Sequence, residues 1–254
     1  MKEKLQAFER LLNILDDLRE KCPWDKKQTI HSLRNLSIEE VYELSEAILN
    51  NDLENVKEEL GDLFLHLIFY SKIAEEKSVF NVADVLNQQC DKLISRHPHV
   101  YGDEKIETEA EVLKNWEKLK LKEGRKSVLE GVPNSLPAIN KAFRMQEKTA
   151  KVGFEWKRIE DVWEKVEEES NELIEAVALA DNDKIEDEFG DLLFALINYS
   201  RFLKIDPEKA LERTNKKFKK RFEYIEEVAK EKELSLENMT LNEMDLIWNQ
   251  AKLK

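Results

Sequence analysis

The sequence predicts an all-α protein built as two tandem helical-bundle repeats. Three observations carry this. Glycine and proline are scarce, 6 and 5 in 254 residues, while Leu, Glu and Lys, all good helix formers, dominate. Apolar residues recur at helical spacing along most of the chain. One phrase of acids also occurs twice. Glu39-Glu40-Val41-Tyr42-Glu43 is followed by Glu59-Leu60-Gly61-Asp62, and Glu168-Glu169-Ser170-Asn171-Glu172 by Glu188-Phe189-Gly190-Asp191. Glu40, Glu43, Glu59 and Asp62 each precede their counterparts Glu169, Glu172, Glu188 and Asp191 by 129 positions. The layout expected is a first domain over residues 1–121, a linker over 122–138 and a second domain over 139–254 that carries the main catalytic site.

Each element has a local reason. Leu5, Phe8, Leu11, Leu12, Leu15 and Leu18 place an amphipathic helix over 3–20. Cys22-Pro23-Trp24-Asp25 ends it and opens a loop, with Trp24 expected to pack. Ser37 reads as an N-cap for a helix over 38–49, with Glu39 and Glu40 in the favourable first turn. Asn50-Asn51-Asp52 turns the chain into a returning helix over 53–75. A further helix runs from Val82 to Ser95, then His97 to Gly102 form a loop, and a helix over 107–121 carries Trp116. Gly124, Gly131, Pro133 and Pro137 interrupt the helical period and mark the linker. Helices follow over 139–151, 160–180 and 183–204, the last two joined at Asp181-Asn182-Asp183. Asp206-Pro207 starts a helix to about Lys232, with proline at its first position. Asn242 to Lys252 closes the chain and holds Trp248.

The acid phrase points to chemistry. Glu169 and Glu172 lie three apart and share a helix face, as do Glu188 and Asp191. Antiparallel pairing of the two helices converges four carboxylates, and Glu40, Glu43, Glu59 and Asp62 repeat the set. So many like charges need a cation among them. Hard oxygen ligands suit Mg²⁺, with Mn²⁺ as an alternative, and Mg²⁺ commonly arrives with phosphates. Lys165 and Lys184 each precede an acid of the second set by four, so each helix reads Lys-x-x-x-Glu-x-x-acid. No Ser/His or Cys/His constellation competes, which leaves water as the nucleophile. The flanking runs Leu63–Phe69 and Leu192–Ile197 are apolar nearly all round, which makes these helices central ones. His97 and His99 lack the Cys or His partners a zinc site needs.

Glu-Glu-x-x-Glu, a spacer, then Glu-x-x-Asp resembles the signature of MazG-type nucleoside triphosphate pyrophosphohydrolases, in the all-α NTP pyrophosphatase group. Cys22-Pro23-Trp24-Asp25-Lys26-Lys27-Gln28-Thr29 and Lys151-Val152-Gly153-Phe154-Glu155-Trp156 resemble the opening motifs of that family's two halves. The resemblance spans nearly the whole chain. It implies attack at the α-phosphorus, giving nucleoside monophosphate and pyrophosphate. It also implies that Lys217 and Arg221, four apart on one helix face, contact the triphosphate and that Trp248 lies near the nucleotide. Lys92, Arg96 and Trp116 are their first-half counterparts. Glu168 is the candidate general base, or else a carboxylate just behind the metal ligands. Its side chain leaves the helix about a hundred degrees from that of Glu169.

The two halves are unequal. Leu36 and Asn55 stand where the second half has Lys165 and Lys184. The first half keeps the acids without those cations, so the second half is expected to be the better catalyst. Acids outnumber bases 54 to 41, for a net charge of −13, which argues against a general nucleic-acid surface. Two cysteines, no apolar run near ~20 residues and no secretory leader set an expectation of a reduced, cytoplasmic, membrane-free protein. Helices with apolar faces on both sides, and the habit of the family, imply a homodimer. Broad base specificity is the expected substrate range; dUTP or a phosphoribosyl-linked nucleotide is the narrower alternative. A di-iron bundle would need Glu-x-x-His pairs, which neither acid set has. A non-enzymatic helical scaffold is the remaining alternative.

Overall fold

A computed structural model describes residues 1–103, 108, 111–112 and 127–253. Helices account for its regular structure, with no strand among the described residues. The chain divides into two compact units, Met1–Glu109 and Ala110–Lys254. The helix expected over 107–121, with Trp116, lies largely outside the described residues.

The first unit contains α1 (Lys2–Lys21), a 3-10 turn at Asp25–Lys27, α2 (Ile30–Asn50), α3 (Leu53–Glu76), α4 (Val82–Arg96) and the single-turn α5 (Pro98–Tyr101). Leu15, Leu33, Ile68, Phe69 and Ile73 form its core, so α1, α2 and α3 each contribute one apolar stripe. Arg19 secures the α1–α2 connection. It pairs with Glu76, donates to the carbonyls of Asp25 and Gln28, and lies over the Phe69 ring.

Helix α2 starts eight residues earlier than the Ser37 cap predicts. Thr29 accepts from the Ser32 N–H and Ser32 Oγ accepts from the Thr29 N–H, a complete capping box. Ser37 sits inside the helix, donates to the Leu33 carbonyl and bonds the Tyr70 hydroxyl. Two smaller corrections belong here. Trp24 is 56% exposed rather than packed, and the His97 loop contains the turn of helix α5, with proline at its start.

The second unit contains α6 (Ala138–Ala150), α7 (Ile159–Leu179), α8 (Asn182–Phe202), α9 (Pro207–Glu231), a 3-10 turn at Leu236–Asn238 and α10 (Leu241–Ala251). α7 and α8 form the tight hairpin, α6 packs on α8 and α9, and α10 packs on α9. Residues 127–136 are fastened to α6. The buried Lys148 ammonium donates to the Val128 and Glu130 carbonyls, and Lys141 donates to the Asn134 carbonyl. Between α6 and α7 the chain turns at Gly153, whose φ of 90° suits a residue without Cβ.

The hairpins explain why the acids meet. In each, one left-handed residue ends the first helix and an aspartate caps the second: Asn51 with Asp52, and Ala180 with Asp181. The returning helices are less enclosed than their apolar sequences predict. Leu60, Phe64 and Leu67 on α3, and the equivalent Phe189, Leu193 and Leu196 on α8, are all exposed. The chain covers one side of each helix and leaves an apolar strip on the other.

Ala180 holds φ at 54°, a conformation that Asn or Gly adopts at lower cost. Ala180→Asn, which copies Asn51, is expected to raise the thermal midpoint by about 1–3 °C. Differential scanning calorimetry checks this; an unchanged or lower midpoint would contradict the strain.

Candidate active site

Helix periodicity places Lys165, Glu168, Glu169 and Glu172 within two turns of α7, and Lys184, Glu188 and Asp191 within two turns of α8. Carboxylate oxygens of Glu169, Glu172 and Glu188 all lie within 4.8 Å of one another. Those of Glu40, Glu43 and Glu59 repeat this in the α2–α3 hairpin. Among the described residues these are the two groups that gather three such ligands. The fourth acid of each set adjoins its group: Asp62 acts electrostatically on Glu40, and Asp191 lines a cavity together with Lys165 and Glu169.

That cavity belongs wholly to the second unit and has a volume of about 520 Å³. Its walls are largely apolar and aromatic, including Met145, Phe154, Trp156 and Phe194. Gln146, Asn198 and Arg201 add polar groups. Phe154 and Trp156 sit in the second opening motif and Phe194 in the apolar run Leu192–Ile197, whereas nothing in the sequence marks Met145, Gln146, Asn198 or Arg201, which α6 and α8 bring together only on packing.

A family model described as the MazG nucleotide pyrophosphohydrolase domain matches residues 28–101 and again 158–226, each match enclosing one acid set. A Thermotoga maritima protein named nucleoside triphosphate pyrophosphohydrolase/pyrophosphatase MazG is 45% identical over 99% of this chain and 98% of its own length. The chain belongs to the MazG family. An Escherichia coli K12 nucleoside triphosphate pyrophosphohydrolase is 38% identical, with 98% of each chain covered. Bacillus subtilis YabN is 46% identical over 98% of this chain but 53% of its own length. A crystal structure of a mazG-related protein from Thermotoga maritima matches 44% of this chain and 98% of its own at 32% identity, with a TM-score of 0.41.

Electrostatics separate the two MazG repeats. In the second, the Lys165 ammonium lies 2.6 Å from Glu169 and 3.0 Å from Glu168. Those bonds, Glu169 first, hold its pKa well above the usual lysine value. Glu169 is buried, at 6% exposure, and a buried carboxylate needs such a partner. In the first repeat the equivalent residue, Leu36, packs against the apolar core instead. Burial pushes the Glu40 carboxyl up, followed by the charges of Asp62 and Glu43. Burial and then Glu43 and Glu40 do the same to Glu59. Glu172 is raised by burial and then by Glu188 and Glu169.

The remaining candidates line neither the cavity nor the acid groups. Glu168 is exposed and bonded to Lys165. Lys184 is exposed in the first turn of α8, one turn before Glu188. Lys217 and Arg221 are on α9, and Trp248 is on α10. Arg221 lies over the Trp248 ring at 5.4 Å, and Phe218 packs on the same ring at 5.1 Å. Trp248 thus braces Arg221 and covers the Ile225–Val228–Ile247 cluster. None of the three lines the cavity or joins an acid group. His97 and His99 are neighbours at 5.6 Å and belong to neither group.

The raised Glu172 carboxyl has a stability consequence. A carboxyl with a raised folded-state pKa contributes stability below its unfolded pKa and loses it as pH rises through the folded value. Metal-free Glu172→Gln is therefore expected to melt higher than the parent at pH 7.5, with the gap closing towards pH 5. Paired thermal melts in chelator read this, and a variant that melts lower at pH 7.5 would contradict the repulsion.

Proposed function

We propose that the chain hydrolyses nucleoside triphosphates, ribo- and deoxyribo- and with broad base specificity, to nucleoside monophosphate and pyrophosphate. The observation that carries this is the pair of acid groups, each gathered by its own hairpin and each inside a stretch matching the MazG nucleotide pyrophosphohydrolase domain. Relatives named as nucleoside triphosphate pyrophosphohydrolases, aligned over nearly the whole chain, support it.

Three closely spaced oxygen ligands, with a fourth carboxylate adjoining, suit Mg²⁺, and Mn²⁺ by the same chemistry. The Glu172, Glu40 and Glu59 carboxyls are raised by burial first and by their carboxylate neighbours second, and a cation would offset the second of these. In the second unit Glu169, Glu172, Glu188 and Asp191 would hold the ion; in the first, Glu40, Glu43, Glu59 and Asp62. A bound Mg²⁺ supplies charge neutralisation on the phosphates. Glu168, exposed beside the group, takes the proton of the attacking water. The water oxygen joins the α-phosphorus, and the α–β bridging oxygen leaves with pyrophosphate. Lys165, paired with Glu169 and Glu168, and Lys184 on α8 would neutralise charge developing on the leaving pyrophosphate. Lys217 and Arg221, four apart on α9, would add positive charge for the leaving pyrophosphate.

The second unit is the stronger site, because Lys165 there has no first-unit counterpart. The exposed apolar strips of α3 and α8 are covered in a homodimer. The chain acts in the cytoplasm without nucleic acid; no helix among the described residues is long and apolar enough to cross a membrane.

Phosphorus NMR with Mg²⁺ and each common triphosphate tests the reading. Pyrophosphate plus monophosphate from many bases is expected; orthophosphate plus diphosphate would overturn it, and product from dUTP alone would narrow it. Glu169→Ala is expected to lower kcat by about a hundredfold or more, and Glu40→Ala by less than about tenfold. The reverse order would refute the ranking of the units. Sedimentation is expected to show a dimer that Leu67→Glu with Leu196→Glu dissociates, and a monomeric parent would refute the pairing.

A further inference from the structure

Residues 127–136 precede α6 and hold no helix, yet their backbone is closely tied. Ser127 Oγ accepts from the Leu129 N–H at 3.2 Å. The Glu130 N–H donates to the Ser127 carbonyl and the Val132 N–H to the Leu129 carbonyl, both at 3.1 Å. Gly131, with φ at 84°, takes the left-handed position of the second turn. This strap lies between the two stretches that match the family model and belongs to neither.

Two lysines of α6 fasten it. Lys141 donates to the Asn134 carbonyl at 2.6 Å. Lys148 is buried, at 4% exposure, and donates to the Val128 carbonyl at 3.3 Å and the Glu130 carbonyl at 3.2 Å. Burying an ammonium is costly, and an apolar side chain of like size fills the same space without that cost. Here two of its bonds go to the carbonyls on either side of one residue, Leu129. The Leu129 side chain lines the second-unit cavity, which also holds Lys165, Glu169 and Asp191. Helix α6 thus serves the cavity twice. Met145, Gln146 and Thr149 line it directly, and Lys148 sets a further piece of wall in place from beside them.

We propose that Lys148 is a positioning residue for the reaction of the second unit: it fixes the backbone of residues 128–130 so that Leu129 completes the wall beside the acids. The proposal rests on the nucleotide reading above and adds the strap to it. The stretch expected from sequence to be a linker over 122–138 is then, from residue 127 onward, a working part of the second site. Lys148 acts through Leu129, and the acids and Lys165 that would carry the chemistry stay where they are when the strap is loosened. Its loss therefore weakens substrate and transition state equally, which raises KM and spares kcat.

The test uses the full chain with Mg²⁺ and the common triphosphates. Lys148→Met keeps most of the side-chain bulk and removes the donor; it is expected to raise KM about tenfold with kcat within about twofold of the parent. Leu129→Ala leaves the buried lysine in place and is expected to raise KM about fivefold, again with little change in kcat. Binding of Mn²⁺, read by electron paramagnetic resonance, stays at the parent's level in both. Amide exchange across residues 128–132 is expected to quicken in Lys148→Met, in a chain that circular dichroism shows to be folded. A purely structural lysine would lower kcat or the folded fraction and leave KM unmoved, and that result would overturn the proposal. A parent-like KM in Leu129→Ala would overturn it whether or not Lys148→Met folds. Turnover by the parent with KM unmoved in the variants refutes the strap alone, whereas no turnover of any triphosphate by the parent refutes the nucleotide reading and the strap with it.

Discussion

Repulsion among carboxylates is the constraint that both acid hairpins must meet. Three carboxylate oxygens within 4.8 Å are unfavourable in a folded protein unless a positive charge or shared protons balance them. The hairpins impose this crowding regardless. Each left-handed turn and aspartate cap fixes the register of its two helices, so acids three apart on each helix must face one another. Local stability is given up at the hairpin, and ligand binding is the gain that such an arrangement makes available.

The two repeats meet the constraint differently. In the second, Lys165 lies against Glu169 and Glu168 and balances part of their charge. In the first, Leu36 occupies that position and contributes to the core around Leu33 and Phe69. One substitution therefore exchanges charge compensation for packing. The cavity deepens the contrast. His66, buried in the first unit, stands where the second has Ala195, a residue of the cavity wall.

The sequence made the hairpins legible because their signals are local: caps, a constant repeat and acids three apart. The Lys165–Glu169 pair was legible for the same reason, since i and i+4 meet on any helix. The start of α2 was not, because Ser37 and Thr29 both qualify as caps and the Thr29–Ser32 reciprocal bond decides between them. That Lys217, Arg221 and Trp248 are not among the cavity-lining residues follows from how α9 packs on α6 and α10, which no spacing encodes. Gln146 was invisible for a related reason. A glutamine in a polar-looking helix becomes a buried, oriented acceptor only because a carbonyl of α8 captures its amide nitrogen.

The central claim is that each acid group is a divalent-cation site. Electron paramagnetic resonance of Mn²⁺ titrated into metal-free protein addresses it most directly, since the free-ion signal falls as ions bind. The account predicts bound Mn²⁺ in the parent, partial loss of that binding when Glu169 and Glu172 are changed to Gln, and loss of the remainder when Glu40 and Glu43 are changed as well. Unchanged free Mn²⁺ in the parent, or binding that survives all four substitutions, would contradict it.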